Sequence, residues 1–209
     1  MKINWLFSTA VFFALASVGF AQSENGALKR LADETAEKFA RRTAPPGSET
    51  VHTVETAAWG VKKTVLAFYK VEAKTADGTA VTRVDGYLLM PDSSGTYRKI
   101  LIRNFEEEGD TPKIEAVFFA NADRDRAPEL VVIASYEVRH YDVSGRLSGT
   151  FIFDDVPPGA NPAKLTYLEA VSEQVSGGCD CTYRDGKTMG TKKFQTAAAV
   201  RAGLKKRKF

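Results

Sequence analysis

The sequence is short of the residues that build stapled or metal-organised miniproteins: its 209 residues include only two cysteines and two histidines. That scarcity excludes a disulfide-dense scaffold and most histidine-built metal sites. A chain of this length buries enough apolar surface to need neither. Proline is also scarce, at eight residues, and with 44% hydrophobic and 26% charged residues the composition is neither collagen-like nor disordered. Charge of one sign is missing as well. The net charge of +3, from 29 basic and 26 acidic residues, is too mild for a dedicated nucleic-acid surface, so no nucleic-acid partner is expected. There is no Gly-x-Ser-x-Gly elbow, no phosphate-cradling glycine loop, and no repeat of propeller or solenoid period.

Long apolar runs are absent too. The longest, Trp5 to Phe20, has 16 residues, short of the roughly 20 that a membrane span requires. Lys2 precedes this run, and Gly19 and Ala21 place small side chains at positions −3 and −1 of a cut before Gln22. These features predict a signal peptide over residues 1–21, followed by a single β-rich globular domain over 22–209. The expected protein is exported, periplasmic or extracellular, with no transmembrane segment after cleavage. The basic cluster Lys205 to Lys208 reads as a solvated helix end, favourable against the C-terminal dipole, with contact to a membrane surface or polyanion as the alternative.

Periodicity then divides the chain. Leu28, Leu31, Ala32, Thr35 and Phe39 recur at helical spacing, predicting an amphipathic helix over 26–42 that ends at Pro45-Pro46-Gly47. From Val65 the period becomes two, with Val65, Ala67, Tyr69, Val71 and Ala73 on one face and Lys70 and Glu72 on the other. Asp77-Gly78 separates this run from Val81–Met90 as a hairpin turn. Strands are predicted at 97–105, 114–120, 130–141 and 147–153, and helices at 161–175 and 195–208. The fold class is therefore α+β: mainly antiparallel sheet with an N-terminal helix and two C-terminal helices.

One constellation carries chemistry. Asn121, Asp123, Asp125 and Glu129 place oxygen-bearing side chains at relative positions 1, 3, 5 and 9, directly before an apolar strand, and Ala127 offers its carbonyl at position 7. A tight loop turns alternate residues inward, so a hard cation such as Ca2+ collects several oxygens there, whereas zinc and copper would want sulfur or imidazole. The alternative is an exposed turn in which Arg124 and Arg126 pair with these carboxylates.

The pattern from Phe118 to Phe153, Asn-x-Asp-x-Asp-x-x-Pro-Glu-Leu followed by a β run and Tyr-x-x-x-Gly, resembles one FG-GAP or VCBS-type calcium-loop module. In that family an Asp-x-Asp-Gly-Asp-Gly loop joins two antiparallel strands in integrin-like propellers and secreted bacterial proteins. The resemblance implies side-chain ligands from Asn121, Asp123, Asp125 and Glu129, and a carbonyl from Ala127. This chain departs from the family at Arg124 and Arg126, which stand where glycine is common, and at Asn121, which replaces aspartate. An arginine held at positive φ costs on the order of 1 kcal/mol.

Cys179 and Cys181 form a second pair of interest. Residues two apart lie about 7 Å from each other when extended, beyond disulfide reach, so a bridge requires a bent segment. A local clip, free or intermolecular thiols, and a redox or soft-metal pair all remain open. His52 and His140 are the only imidazoles, and His140 sits on an alternating strand run. The preferred function is an exported, non-enzymatic binding or structural module with a protein or glycan partner. An exported hydrolase with catalytic carboxylates not visible in sequence is the alternative.

Overall fold

Alternation of β-branched and aromatic residues with polar ones produces ten strands in the computed structural model, which describes residues 27–74, 78–106, 110–123, 125–190 and 193–207. The segment read as a signal peptide and Asp77 of the hairpin turn lie outside these residues. Strands β1 (Leu28–Lys29), β2 (Glu49–Ala58), β3 (Val61–Lys74), β4 (Ala80–Pro91) and β5 (Thr96–Phe105) form one sheet in the order β1-β5-β4-β3-β2. Strands β6 (Lys113–Ala120), β7 (Glu129–Arg139), β8 (Val143–Phe153), β9 (Gly178–Tyr183) and β10 (Thr188–Met189) form a second, in the order β10-β9-β8-β7-β6. Pairing of these strands is antiparallel throughout. With three helices beside them, the fold is α+β and mainly antiparallel sheet.

The sheets pack face to face. Leu66, Phe68, Leu88, Ile100 and Phe105 of the first meet Leu130, Val132, Tyr136 and Phe153 of the second in one buried cluster. Each outer face is covered by helix. On the first sheet, α1 (Ala36–Arg42) seats Phe39 and Ala40 over Val65, Ala67, Tyr69 and Leu89. On the second, α2 (Glu169–Gln174) and α3 (Ala197–Arg207) lie where Val175, Val200 and Leu204 cover Phe118, Val131, Ile133 and Ile152. The face of β3 carrying Val65, Ala67 and Tyr69 is buried as its alternation requires. Its opposite face is buried too, because Leu66 and Phe68 point at the second sheet.

Both helices predicted next to proline or mixed sequence are shorter than their apolar spacing suggests. In place of a helix from residue 26, Leu28 and Lys29 pair with Tyr97 and Thr96 at the sheet edge, and Leu31 is 65% exposed. The chain reverses under Arg42, which donates to both Glu34 carboxylate oxygens and to the Lys29 carbonyl. Thr35 then caps α1 by accepting from the Lys38 N–H at 3.3 Å. Of the helix expected over 161–175 only its end forms. Residues 163–168 run extended as a strap between the sheets: Leu101 N–H donates to Ala163 O and Leu165 N–H to Leu101 O, while Leu168 N–H donates to Ile152 O. Interstrand bonds outcompete a helix here because Leu165, 3% exposed, enters the core between the sheets.

Glycine is required where rings cross the backbone. At Gly86, beside a bulge in the β4–β5 pairing, a Cβ would stand 2.9 Å from the Phe68 ring and 3.2 Å from that of Phe105. Gly86→Ala therefore forces two core rings to move, and equilibrium urea unfolding should show a loss of about 1–3 kcal/mol. An unchanged midpoint would contradict this packing.

Candidate metal centre

The acidic loop is the connection between β6 and β7, whose register pairs Ala120 with Glu129 across its base. Its own side chains shape it. Asp123 Oδ1 accepts from the Asp125 N–H at 2.8 Å, and Asp125 Oδ1 accepts from the Ala127 N–H at 2.8 Å. Asn121 Nδ2 donates to the Asp125 carbonyl at 2.8 Å, bracing the loop across its width. Such Asx turns reverse a chain without glycine. Arg126 accordingly has no positive φ, so the backbone cost anticipated there does not arise; Arg124 lies outside the described residues.

Glu129 opens β7 with a wholly buried side chain. One carboxylate oxygen, Oε2, accepts from the Ala122 N–H, while Oε1 has no partner among the described residues. Asp123, Asp125 and Glu129 bring one carboxylate oxygen each within 4.8 Å of one another. A second group, Asp125, Asp154 and Asp155, meets the same spacing and shares Asp125 with the first. The β7–β8 register explains this: Leu130 pairs with Phe153, so the residues just past β8 emerge beside the loop.

The electrostatics follow from that crowding. Burial pushes the Glu129 carboxyl up to about 7, and the charges of Asp123 and Asp125 add to the rise against its backbone hydrogen bonds. Asp155 is also raised, by burial first and then by Asp154, Asp125 and Asp123. Among the described residues no lysine or arginine forms an ion pair with any of these five carboxylates, so the turn is not held by Arg126. Each group of three carboxyls, with no nitrogen or sulfur in it, could hold a hard metal ion.

The loop is fastened from the other sheet. Trp59 Nε1 donates to the Pro128 carbonyl at 2.7 Å, and its ring meets Phe119 edge-on with centroids 5.6 Å apart. Trp59 and Gly60, at φ 48° and 79°, make the tight turn from β2 to β3 that aims this ring.

Of the residues singled out in the sequence, Asp123, Asp125 and Glu129 converge as carboxylates, whereas Asn121 and Ala127 contribute N–H donors that brace the loop. Asp154, Asp155 and Trp59 were not foreseen. The Asp-Asp pair directly after an apolar strand was a local signal, but its nearness to the loop depends on strand register. Elsewhere, Cys179 and Cys181 are joined to each other with Cα atoms 5.3 Å apart, on a bent stretch that crosses the Gly145 backbone so closely that a Cβ there would lie 2.2 Å from Asp180 O. His140 is exposed beyond the end of β7, and His52 packs against Phe68 on the other sheet.

The raised Glu129 carboxyl gives a pH signature in metal-free buffer. Folding takes up a proton between the ordinary value of 4.5 and about 7, so this group's contribution is fully present below 4.5 and is lost as the pH rises through 7. In EDTA, the stability of Glu129→Gln relative to the parent should therefore rise from pH 5 to pH 8. The comparison cancels the opposing influence of His52, whose pKa burial lowers. A difference that does not change with pH, measured by urea unfolding, would contradict the burial of this charge.

Comparison of the chain with protein-family models, with curated proteins and with solved structures finds no match.

Proposed function

We propose that the β6–β7 loop binds a calcium ion through Asp123, Asp125 and Glu129, with Asp154 or Asp155 completing the oxygen set from the end of β8. The observation that carries this reading is the buried Oε1 of Glu129, unpartnered among the described residues, beside two aspartates with which no described basic residue forms an ion pair. A buried carboxylate left in that state is costly, and a divalent cation satisfies it and relieves the repulsion around it. An all-oxygen set of carboxylates drawn from a loop and a strand end suits calcium, which accepts irregular coordination, better than magnesium, which demands near-ideal octahedral geometry. The likeness to FG-GAP and VCBS-type loops supports the same ion.

The ion would tie together the ends of three strands of one sheet, in a protein that acts as an exported, non-enzymatic binding or structural module. Export supports the reading in turn. Loops of modest affinity are filled where calcium is near millimolar, as it is outside the cell.

Thermal unfolding tests the proposal. At five times a millimolar dissociation constant, binding contributes about 1 kcal/mol. That corresponds to a rise in Tm of about 2–4 °C for a chain of this size. The rise should reverse with EDTA, be smaller with magnesium, and vanish in Asp125→Asn, which removes the carboxylate common to both groups. No calcium-dependent rise, or an equal rise in the variant, would overturn it.

A further inference from the structure

The 163–168 strap leaves a gap in the second sheet. It bonds β8 at Ile152, while β9 pairs with β8 only as far as Ser148, so the β8 edge at 149–151 is covered by neither. Strand alternation sends the Thr150 N–H and carbonyl the same way as those of Ile152, which reach Ser172 Oγ and the Leu168 N–H. The Thr150 main-chain N–H and carbonyl therefore face the gap, while its side chain, opposite Ile133, stands on the helix-covered face of β8.

A cavity of about 310 Å³ occupies this place, with Ser148, Thr150, Ser176 and Glu173 at its rim and walls. A second, of about 320 Å³, contains Arg103 and Lys164 and adjoins the first through Tyr136 and Phe151. The Arg103 guanidinium carbon lies 4.8 Å from the ring centres of both Phe151 and Tyr167. Ring faces hold the cation without consuming its N–H donors, and among the described residues no acceptor takes them. The guanidinium edge is thus preset for a bidentate anion.

We propose that this cleft binds a sugar acid of monosaccharide size, its carboxylate on Arg103 and its hydroxyls toward the Thr150 main chain, Ser148 and Glu173. The lining runs from cationic, through aromatic, to hydroxyl and carboxylate. A sugar acid presents the complementary order: an anionic end, C–H faces for the rings, and hydroxyl donors and acceptors. A purely apolar ligand would leave Arg103 and Thr150 unpaired, and a polyanion would meet Glu106 and Glu173. The volume fits one ring, at the low end of ligand cavities, roughly 300 Å³. This inference is independent of the cation site.

The test is a ¹H–¹⁵N NMR titration of the full chain with sodium glucuronate, with glucose and sodium glutamate as comparators. Glucuronate should shift the Thr150 amide and the Arg103 Nε–H saturably, and bind at least about tenfold more tightly than glucose, given a charge-assisted fork. Arg103→Gln should lose about tenfold in affinity. Glu173→Gln, at an exposed position of the cavity wall, should weaken binding while melting no lower than the parent, so that lost binding is separated from lost fold. Absence of saturable shifts, equal binding of glucose, tighter binding of glutamate, or unchanged affinity in both variants would overturn the proposal.

Discussion

A carboxylate with one oxygen bonded and the other alone, at a wholly buried position, is the constraint around which one end of this molecule is organised. Glu129 begins β7 at the point where β6 ends and β8 leaves the sheet. The aspartates that shape the neighbouring loop by accepting from its N–H groups also crowd negative charge onto that carboxyl. The geometry that makes the turn rigid thus makes it electrostatically unfavourable when empty of positive charge. A proton relieves this near neutrality, and a divalent cation would relieve it more fully.

Features far apart in sequence serve the same end of the sandwich. Trp59, from the first sheet, holds the Pro128 carbonyl of a loop in the second, and the strap over 163–168 bonds to β5 on one side and β8 on the other. Both cross the seam between the sheets, one at the acidic loop and the other beside the Arg103 cleft. The seam is where polar groups that the strands do not pair are brought together. The sheet faces are spent on core.

Much of the fold was legible in the sequence because alternation is a local property. Val65 to Ala73, Val81 to Met90 and Leu130 onward declared their strands, and the odd-numbered acidic side chains declared the loop. What was illegible depended on partners. Glu49–Ala58 carries threonine, histidine and glutamate between its apolar residues, so it reads as polar until β3 lies beside it. Residues 26–34 and 161–168 have helical spacing, yet edge pairing and the Arg42 contacts outweigh it. Asp154 and Asp155 join the acidic group through register alone, and Trp59 reaches Pro128 across 69 residues of sequence.

Trp59 also supplies the most direct probe of the ion, since the chain has only one other tryptophan, Trp5. Terbium, a hard oxygen-seeking ion of calcium-like chemistry, should give saturable green emission on indole excitation. Calcium should displace it, and Asp125→Asn should abolish it. Emission that never exceeds that of free terbium, or that calcium leaves undiminished, would contradict a cation seated against Glu129.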